Sequence, residues 1–90
     1  MKDLKLLQII PSLESGGAEQ GTVDVANYIA LKGLDSFIAS SGGKMLPQLN
    51  RKQVRHFTLP LNSKNIFIMF RNAKKLEKII IENNINLVHV

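Results

Sequence analysis

Cysteine is absent from this 90-residue chain, and acids are scarce in its second half. Without thiols there is no disulfide framework and no thiolate metal site, which suits a reducing compartment such as the cytoplasm. The two histidines, His56 and His89, have no Cys, Asp or Glu at ligand-like spacing, so no metal centre is expected. Nor do the remaining residues offer a Ser-His-Asp arrangement or a paired-carboxylate set. Aromatics are few, four Phe and one Tyr. With no aromatic-rich strand face and no recognition-helix signature, nucleic-acid binding is not expected. Long apolar runs are missing too: no stretch approaches the roughly 18 apolar residues that a membrane span needs. Met1-Lys2-Asp3-Leu4-Lys5 carries an acid and leads into a short apolar run that stops at Pro11, unlike a secretory signal.

What is present suffices for one small domain. The chain is 44% hydrophobic with a mean hydropathy of +0.01, enough to bury a core and too apolar for a disordered tail. The net charge of +5 is unevenly spread. Residues 1–43 hold three Lys/Arg against five Asp/Glu, a balance of −2, and residues 44–90 hold nine against two, a balance of +7. Such asymmetry by itself suits an anionic partner, whether a phosphate-bearing substrate, a membrane surface or nucleic acid, and equally a solvated basic helix face.

Leu4-Lys5-Leu6-Leu7-Gln8-Ile9-Ile10 is a short apolar run closed by Pro11, the pattern of a buried parallel strand. Residues 12–17 form a loop. Over residues 18–32, Val25, Ala26, Ile29 and Ala30 recur at helical spacing, and Gly33 stands where a C-cap belongs. Ser36-Phe37-Ile38-Ala39-Ser40 reads as a second strand, closed by Gly42-Gly43. Residues 46–52 read as a short helix that Pro47 restricts to an early-turn start. His56-Phe57-Thr58-Leu59 is a third strand ending at Pro60. Residues 65–83 give the clearest helix, with Ile66, Met69, Phe70, Ala73, Leu76 and Ile80 as the expected core stripe. Asn86-Leu87-Val88-His89-Val90 is a fourth strand. The order βαβαβαβ predicts an α/β fold, a parallel sheet with the first strand central and right-handed crossovers that place helices on both faces.

In an open parallel sheet, ligands bind beyond the carboxyl ends of the strands. Three loops leave that edge, residues 11–17, 41–44 and 60–64, all supplying Gly, Ser or Asn. Gly16-Gly17, between the first strand and the first helix, lets the backbone approach a ligand with no Cβ in the way. The helix that starts there aims unpaired N–H groups and a positive dipole end at the crevice, which favours a diphosphate. The same residues equally suit a plain tight turn in which Glu19 compensates the helix dipole. Spacing leaves both open. Two commoner phosphate motifs fail. Gly16-Gly17-Ala18-Glu19-Gln20-Gly21 has the outer glycines of G-x-G-x-x-G but Ala18 at the middle one, and Ser40-Ser41 stands where an acid should follow the second strand. Gly43-Lys44 imitates the end of a P-loop, with Ile38 in place of its first glycine and Met45 in place of Ser/Thr. His56 reads as a surface or boundary residue. His89, near the carboxyl end of the fourth strand, is placed on the ligand edge.

Leu7-Gln8-Ile9-Ile10-Pro11-Ser12-Leu13-Glu14-Ser15-Gly16-Gly17-Ala18-Glu19 resembles the opening of family 4 glycosyltransferases, whose first strand leads into a Gly-Gly-Ala-Glu turn. Asn86-Leu87-Val88-His89-Val90 is similar to that family's fourth strand: an acid or Asn, two apolar residues, then His. The resemblance covers essentially the whole chain. It implies the GT-B architecture, two Rossmann-like halves facing across a cleft. It also implies transfer of a sugar from a nucleotide-sugar donor to an acceptor, such as a lipid or a cell-envelope glycan. Residues 1–90 would then be an incomplete, truncated N-terminal half on the acceptor side. In the family the C-terminal half binds the nucleotide and supplies an E-x7-E pair. The chain is therefore expected to be inactive alone and to meet the donor only within a full-length enzyme. The alternative is a non-catalytic interaction module that pairs with a separately encoded, complementing C-terminal chain. By position, Gly16 and Gly17 would contact the donor diphosphate through backbone N–H groups. Ser41, Gly42, Gly43 and Lys44 would face the acceptor, as would Asn62, Ser63 and Lys64, and His89 would lie near the cleft. No catalytic residue and no cofactor are implied within these residues. Many relatives place Arg directly after the Glu, where this chain has Gln20, which removes one phosphate contact.

Phe67 and Ile68 lie off the expected core stripe and precede Arg71, Lys74, Lys75 and Lys78. Exposed apolar residues beside a basic face are how a peripheral helix grips an anionic bilayer. Contact with the inner face of the membrane is therefore an expectation for an otherwise cytoplasmic chain. The same lysines also suit a plain solubilising face, with Phe67 and Ile68 packed under the preceding loop.

Overall fold

The structure is a computed structural model that describes residues 3–90. Met1 and Lys2, at the start of the segment judged against a secretory signal, lie outside the described residues. Four strands, Lys5–Ile9 (β1), Asp35–Ser40 (β2), Val54–Thr58 (β3) and Leu87–His89 (β4), form a parallel sheet in the order β3-β2-β1-β4. The expected α/β sheet of Rossmann-like type therefore forms, with β1 inside it. Helix α1 (Gly17–Leu31) carries the chain from β1 to β2, and helix α2 (Ile66–Glu82) carries it from β3 back across the sheet to β4. Right-handed crossovers that run in opposite directions along a sheet put their helices on opposite faces. The two cores agree. Leu13, Val23, Ala26, Ala30, Ile38 and Val54 pack together on the α1 side, and Leu7, Phe37, Ala39, Leu59 and Ile79 on the α2 side. Successive residues of β2 serve opposite cores, as the period-2 pleat requires. Among the described residues no helix is long and apolar enough to cross a membrane.

Between β2 and β3 the expected short helix is one 3₁₀ turn, Leu46–Gln48. Its brevity has a local cause besides Pro47. The Asn27 side chain, on α1, donates to the carbonyl of Gln48 at 2.8 Å and accepts the N–H of Asn50 at 2.8 Å. That clamp turns the chain back toward β3 after a single turn, while buried Leu49 enters the α1-side core. The ends of the longer helices follow their sequence signals. Gly33, at φ 79, closes α1, with Leu34 N–H donating to Ile29 O and Gly33 N–H to Ala30 O. This is the paired hydrogen-bond pattern that a left-handed glycine permits. Asn65 caps α2 by accepting from Phe67 N–H at 2.9 Å and Ile68 N–H at 3.3 Å, worth about 1 kcal/mol.

Which face α2 turns to the sheet differs from the expectation. The buried face runs through Ile68, Asn72, Leu76 and Ile79, four residues that share one side of a helix. Ile66, Met69, Phe70 and Ala73 from the expected stripe are exposed, and only Leu76 and Ile80 join the core. The physical reason is Asn72, 5% exposed, whose Nδ2 donates to Pro60 O at 3.0 Å. This bond ties the helix to the end of β3 and fixes its rotation. Ile68 is accordingly half-buried on the sheet-facing side, so it is not the exposed partner of Phe67 that the sequence pattern implied. On α1 the correction is smaller: Val25 is exposed, and Val23 takes its place in the core.

Candidate functional site

The loops after β1 and β2 are hydrogen-bonded into one rim, which Leu59 N–H, just past β3, joins by donating to Ser40 O at 2.9 Å. Beyond the strands the parallel pairing continues: Ser41 N–H donates to Pro11 O at 2.9 Å, Leu13 N–H to Gly42 O at 2.9 Å, and Met45 N–H to Leu13 O at 2.8 Å. Glu14 Oε1 accepts Lys44 N–H at 2.8 Å. Leu13 is fully buried beneath the rim and anchors it in the α1-side core. Gly43, at φ 149, sits so close that a Cβ there would lie 2.6 Å from Leu13 C and O. The rim borders a cleft of mixed character, about 560 Å³, over the ends of β1, β2 and β3, with Ser12, Glu14, Ser41, Thr58 and Asn62 as its polar lining and Leu59 and Pro60 as its apolar lining.

Of the residues singled out from sequence, Ser41, Gly42, Gly43 and Asn62 line this cleft. Lys44 contributes its backbone N–H to the rim but does not line the cleft. Ser63 accepts Asn65 N–H at 3.1 Å, a local turn before α2, and Lys64 is exposed outside the lining. His89 lies elsewhere. With Ile10, Pro11, Ala18, Gly21 and Thr22 it borders a second, mostly apolar concavity of about 490 Å³ between β1, β4 and the start of α1. The strand order reverses between β1 and β4, so this is the topological switch point of the sheet.

Gly16 is the N-cap of α1, at φ 120 and ψ 168, and Gly17 is the first helical residue. Among the described residues no side chain caps the N–H groups here. Glu19 folds back over the turn, with Oε1 2.8 Å from where a Gly16 Cβ would stand. Glycine at 16 thus both permits the backbone angle and makes room for the carboxylate. That carboxylate sits at the positive end of the helix dipole, where an incoming anion would have to compete with it.

Sequence reasoning missed one element of the rim. His56 is half-buried, and its Nε2 is hydrogen-bonded to Ser40 Oγ, which in turn accepts Gly42 N–H at 3.0 Å. Burial, and then the positive charge of Arg51, hold the His56 imidazole below its ordinary pKa of 6.5. Only the alternation of β3 hinted at this. Residue 56 falls beside residue 38 in the parallel register, two places before Ser40, within side-chain reach of the rim.

No protein-family model matches the chain, and no curated protein matches it. Among solved structures, a glycosyltransferase from Rickettsia africae ESF-5 matches 99% of this chain at 37% identity with a TM-score of 0.83. Over that span the chain is glycosyltransferase-like. It covers 24% of the length of the solved chain, so roughly three quarters of that protein lies outside the match.

Proposed function

We propose that this chain is a segment of a glycosyltransferase of the GT-B, family 4 type, which moves a sugar from a nucleotide-sugar donor to a hydroxyl-bearing acceptor. The observation that carries the reading is the hydrogen-bonded rim at the carboxyl ends of β1, β2 and β3 in a chain 37% identical to a glycosyltransferase over 99% of its length. In the proposed reaction an acceptor hydroxyl oxygen attacks the anomeric carbon, the bond from that carbon to the donor diphosphate breaks with its electron pair, and the hydroxyl proton passes to the departing diphosphate oxygen. Such catalysis is mostly positioning and stabilisation of departing charge. Ser12, Ser41, Thr58 and Asn62 present hydroxyl and amide groups for an acceptor. The N–H groups at Gly16 and Gly17 meet the diphosphate, and Glu19 swings aside as it binds. One wall of the cleft belongs to this chain, and the opposite wall to a nucleotide-binding half.

Inorganic pyrophosphate, the chemistry common to all such donors, tests the anion site on the isotope-labelled chain. Backbone amide signals of Gly16, Gly17 and Ala18 are expected to shift, and Glu19→Gln to tighten binding about two- to fivefold, the worth of one charge at a helix end. Shifts confined to the lysines of α2, or a Glu19→Gln variant that binds no better, would count against the diphosphate role.

A further inference from the structure

Glu14 is the charged side chain in the lining of the cleft over β1, β2 and β3; among the described residues no Lys, Arg or other acid borders it. Its carboxylate is placed by backbone. Oε1 accepts Lys44 N–H at 2.8 Å, and Gly43 leaves the room it needs, since a Cβ there would stand 2.7 Å from that oxygen. Among the described residues no ion pair neutralises Glu14, and its Oε2 accepts no hydrogen bond. A carboxylate has about four acceptor sites, and the rim uses one of them. Tying down the Lys44 N–H needs a single neutral oxygen, which Asn or Ser supplies without a charge. The charge and the other lone pairs are available to an occupant of the cleft.

The neighbouring groups define that occupant. Ser12, Ser41 and Thr58 bring hydroxyls and Asn62 an amide, groups that both donate and accept. Leu59 and Pro60 supply an apolar stretch beside them. Hydroxyls that donate to a carboxylate form charge-assisted bonds, shorter and roughly twice as strong as neutral ones. A sugar ring matches this lining, with hydroxyls around its edge and a C–H face for Leu59 and Pro60. Charge narrows the class further. An anion in the cleft meets Glu14 with no cation in the lining to offset the repulsion. A cation is opposed by Lys44 and Lys64, exposed on the two loops that flank the cleft. An uncharged molecule meets neither obstacle, although residues 44–90 as a whole carry a balance of +7.

We propose that Glu14 sets the specificity of this cleft, selecting an uncharged sugar unit with adjacent hydroxyls over an anionic one. The assignment of that sugar as the acceptor rests on the glycosyltransferase reading above. Two adjacent hydroxyls donate to the Glu14 carboxylate, Ser41 and Asn62 serve the hydroxyls beside them, and the ring lies against Leu59 and Pro60. In the same reading the donor diphosphate meets the chain elsewhere, since Gly16 and Gly17 lie outside this lining. The two ligands divide by charge, the anion at the start of α1 and the neutral ring beside Glu14.

Matched pairs of sugars test the selection on the isotope-labelled 90-residue chain: methyl glucoside and methyl galactoside against methyl glucuronide and methyl galacturonide, which differ by one carboxylate. At least one neutral glycoside is expected to shift the amide signals of Ser12, Glu14, Ser41 and Asn62, and its acidic counterpart to leave them in place. Glu14→Gln keeps an oxygen for Lys44 N–H but puts a donor where the second acceptor was. It should weaken glycoside binding about fivefold or more and bring the acidic counterpart to the same amides. That reversal of preference is a change that a purely structural role would not produce. Neutral glycosides that leave the rim unmoved would overturn the proposal, as would native chain that binds both members of a pair equally. A Glu14→Gln variant with unchanged preference would also overturn it, reducing the carboxylate to a tie for Lys44 N–H. Pyrophosphate added to the same samples separates the two readings. Shifts at Gly16 and Gly17 with no glycoside at the rim would sink the acceptor class alone, whereas silence from both ligands would count against the glycosyltransferase reading as well.

Discussion

The hydroxyl of Ser40 bridges the ring of His56 and the backbone of Gly42 beneath the cleft. Ser40 Oγ accepts Gly42 N–H at 3.0 Å and is hydrogen-bonded to His56 Nε2, and His56 Nδ1 lies 3.3 Å from Thr58 Oγ1. Each hydroxyl can donate or accept, so either neutral tautomer fits the network. A neutral imidazole satisfies all three contacts. Protonating the ring would place a charge in a half-buried site and near the positive charge of Arg51. The pinned residue matters because Gly42, at φ 90, turns the chain into the rim.

Stability should therefore fall with acid. Unfolded His56 titrates at its ordinary 6.5, and burial and Arg51 lower the folded value. Above 6.5 both states are neutral at this residue and the contribution is fully present. As pH falls below 6.5 the unfolded state takes its proton first, so stability declines until the folded ring also protonates. Denaturant titrations between about pH 7 and about pH 5 should show this decline in the native chain and a shallower one in His56→Gln. Equal declines in both proteins would place the titrating group elsewhere.

The glycines divide into two kinds, and alanine substitution should separate them. At Gly43 a Cβ would strike the Leu13 backbone at 2.6 Å, and the positive φ adds strain. Gly43→Ala should cost about 1–3 kcal/mol and loosen the rim. Gly21 lies within α1, with nothing inside 4 Å of an added Cβ. Gly21→Ala should raise stability by about 0.5–1 kcal/mol, the helix-interior difference between the two residues. Denaturant midpoints would measure both. A neutral Gly43→Ala would show that the rim yields where its hydrogen bonds indicate it is tight.

The sheet was legible because each strand carries its own signal: short apolar runs, closed by Pro11 or Pro60, alternating with helix-length segments. Caps were legible for the same reason, since Gly33 and Asn65 act through neighbouring backbone. The rotation of α2 was not. Its sequence holds two candidate apolar stripes, and the more hydrophobic one, through Ile66, Met69 and Phe70, is the exposed one. What selects the other is a polar contact between Asn72 and Pro60, residues 12 apart, which periodicity does not register. The rim shows the same division. Its loops could be located from Gly, Ser and Asn content, whereas the Ser40 and His56 pair depends on the register between β2 and β3.

Sugar transfer should be absent from the isolated 90 residues. The chain corresponds to 24% of the length of the similar glycosyltransferase, and under the proposed function it would supply only one wall of the donor cleft. A one-walled site leaves the donor solvated, so positioning and charge stabilisation are both lost. Assays with several nucleotide sugars and simple acceptors should match a control without protein. Turnover above that control would require catalytic groups within these residues that the rim does not reveal.

The exposed side of α2 makes the final prediction. Phe67 is 78% exposed and projects among Arg71, Lys74, Lys75 and Lys78, which are exposed too. Ile68 turns toward the sheet, so the apolar residues beside this basic face are Phe67 with Ile66 and Phe70 on the adjoining stripe. Lys78 is drawn partly toward Glu82, 3.9 Å away, leaving Arg71, Lys74 and Lys75 as the stronger attractors. Each basic residue near an anionic bilayer is worth about 1 kcal/mol, and salt screens that attraction over a Debye length of about 10 Å at 0.1 M. The chain should thus co-sediment with anionic vesicles at low salt and be released at high salt. Phe67→Ala should weaken binding by removing the inserted ring, and Lys74→Glu should weaken it further at low salt than at high. Binding that ignores lipid charge, or none to anionic vesicles at low salt, would reduce this face to a solvated surface. Retention by anionic vesicles with full indifference to Phe67→Ala would mean that the lysines alone attract the chain, with no ring entering the bilayer.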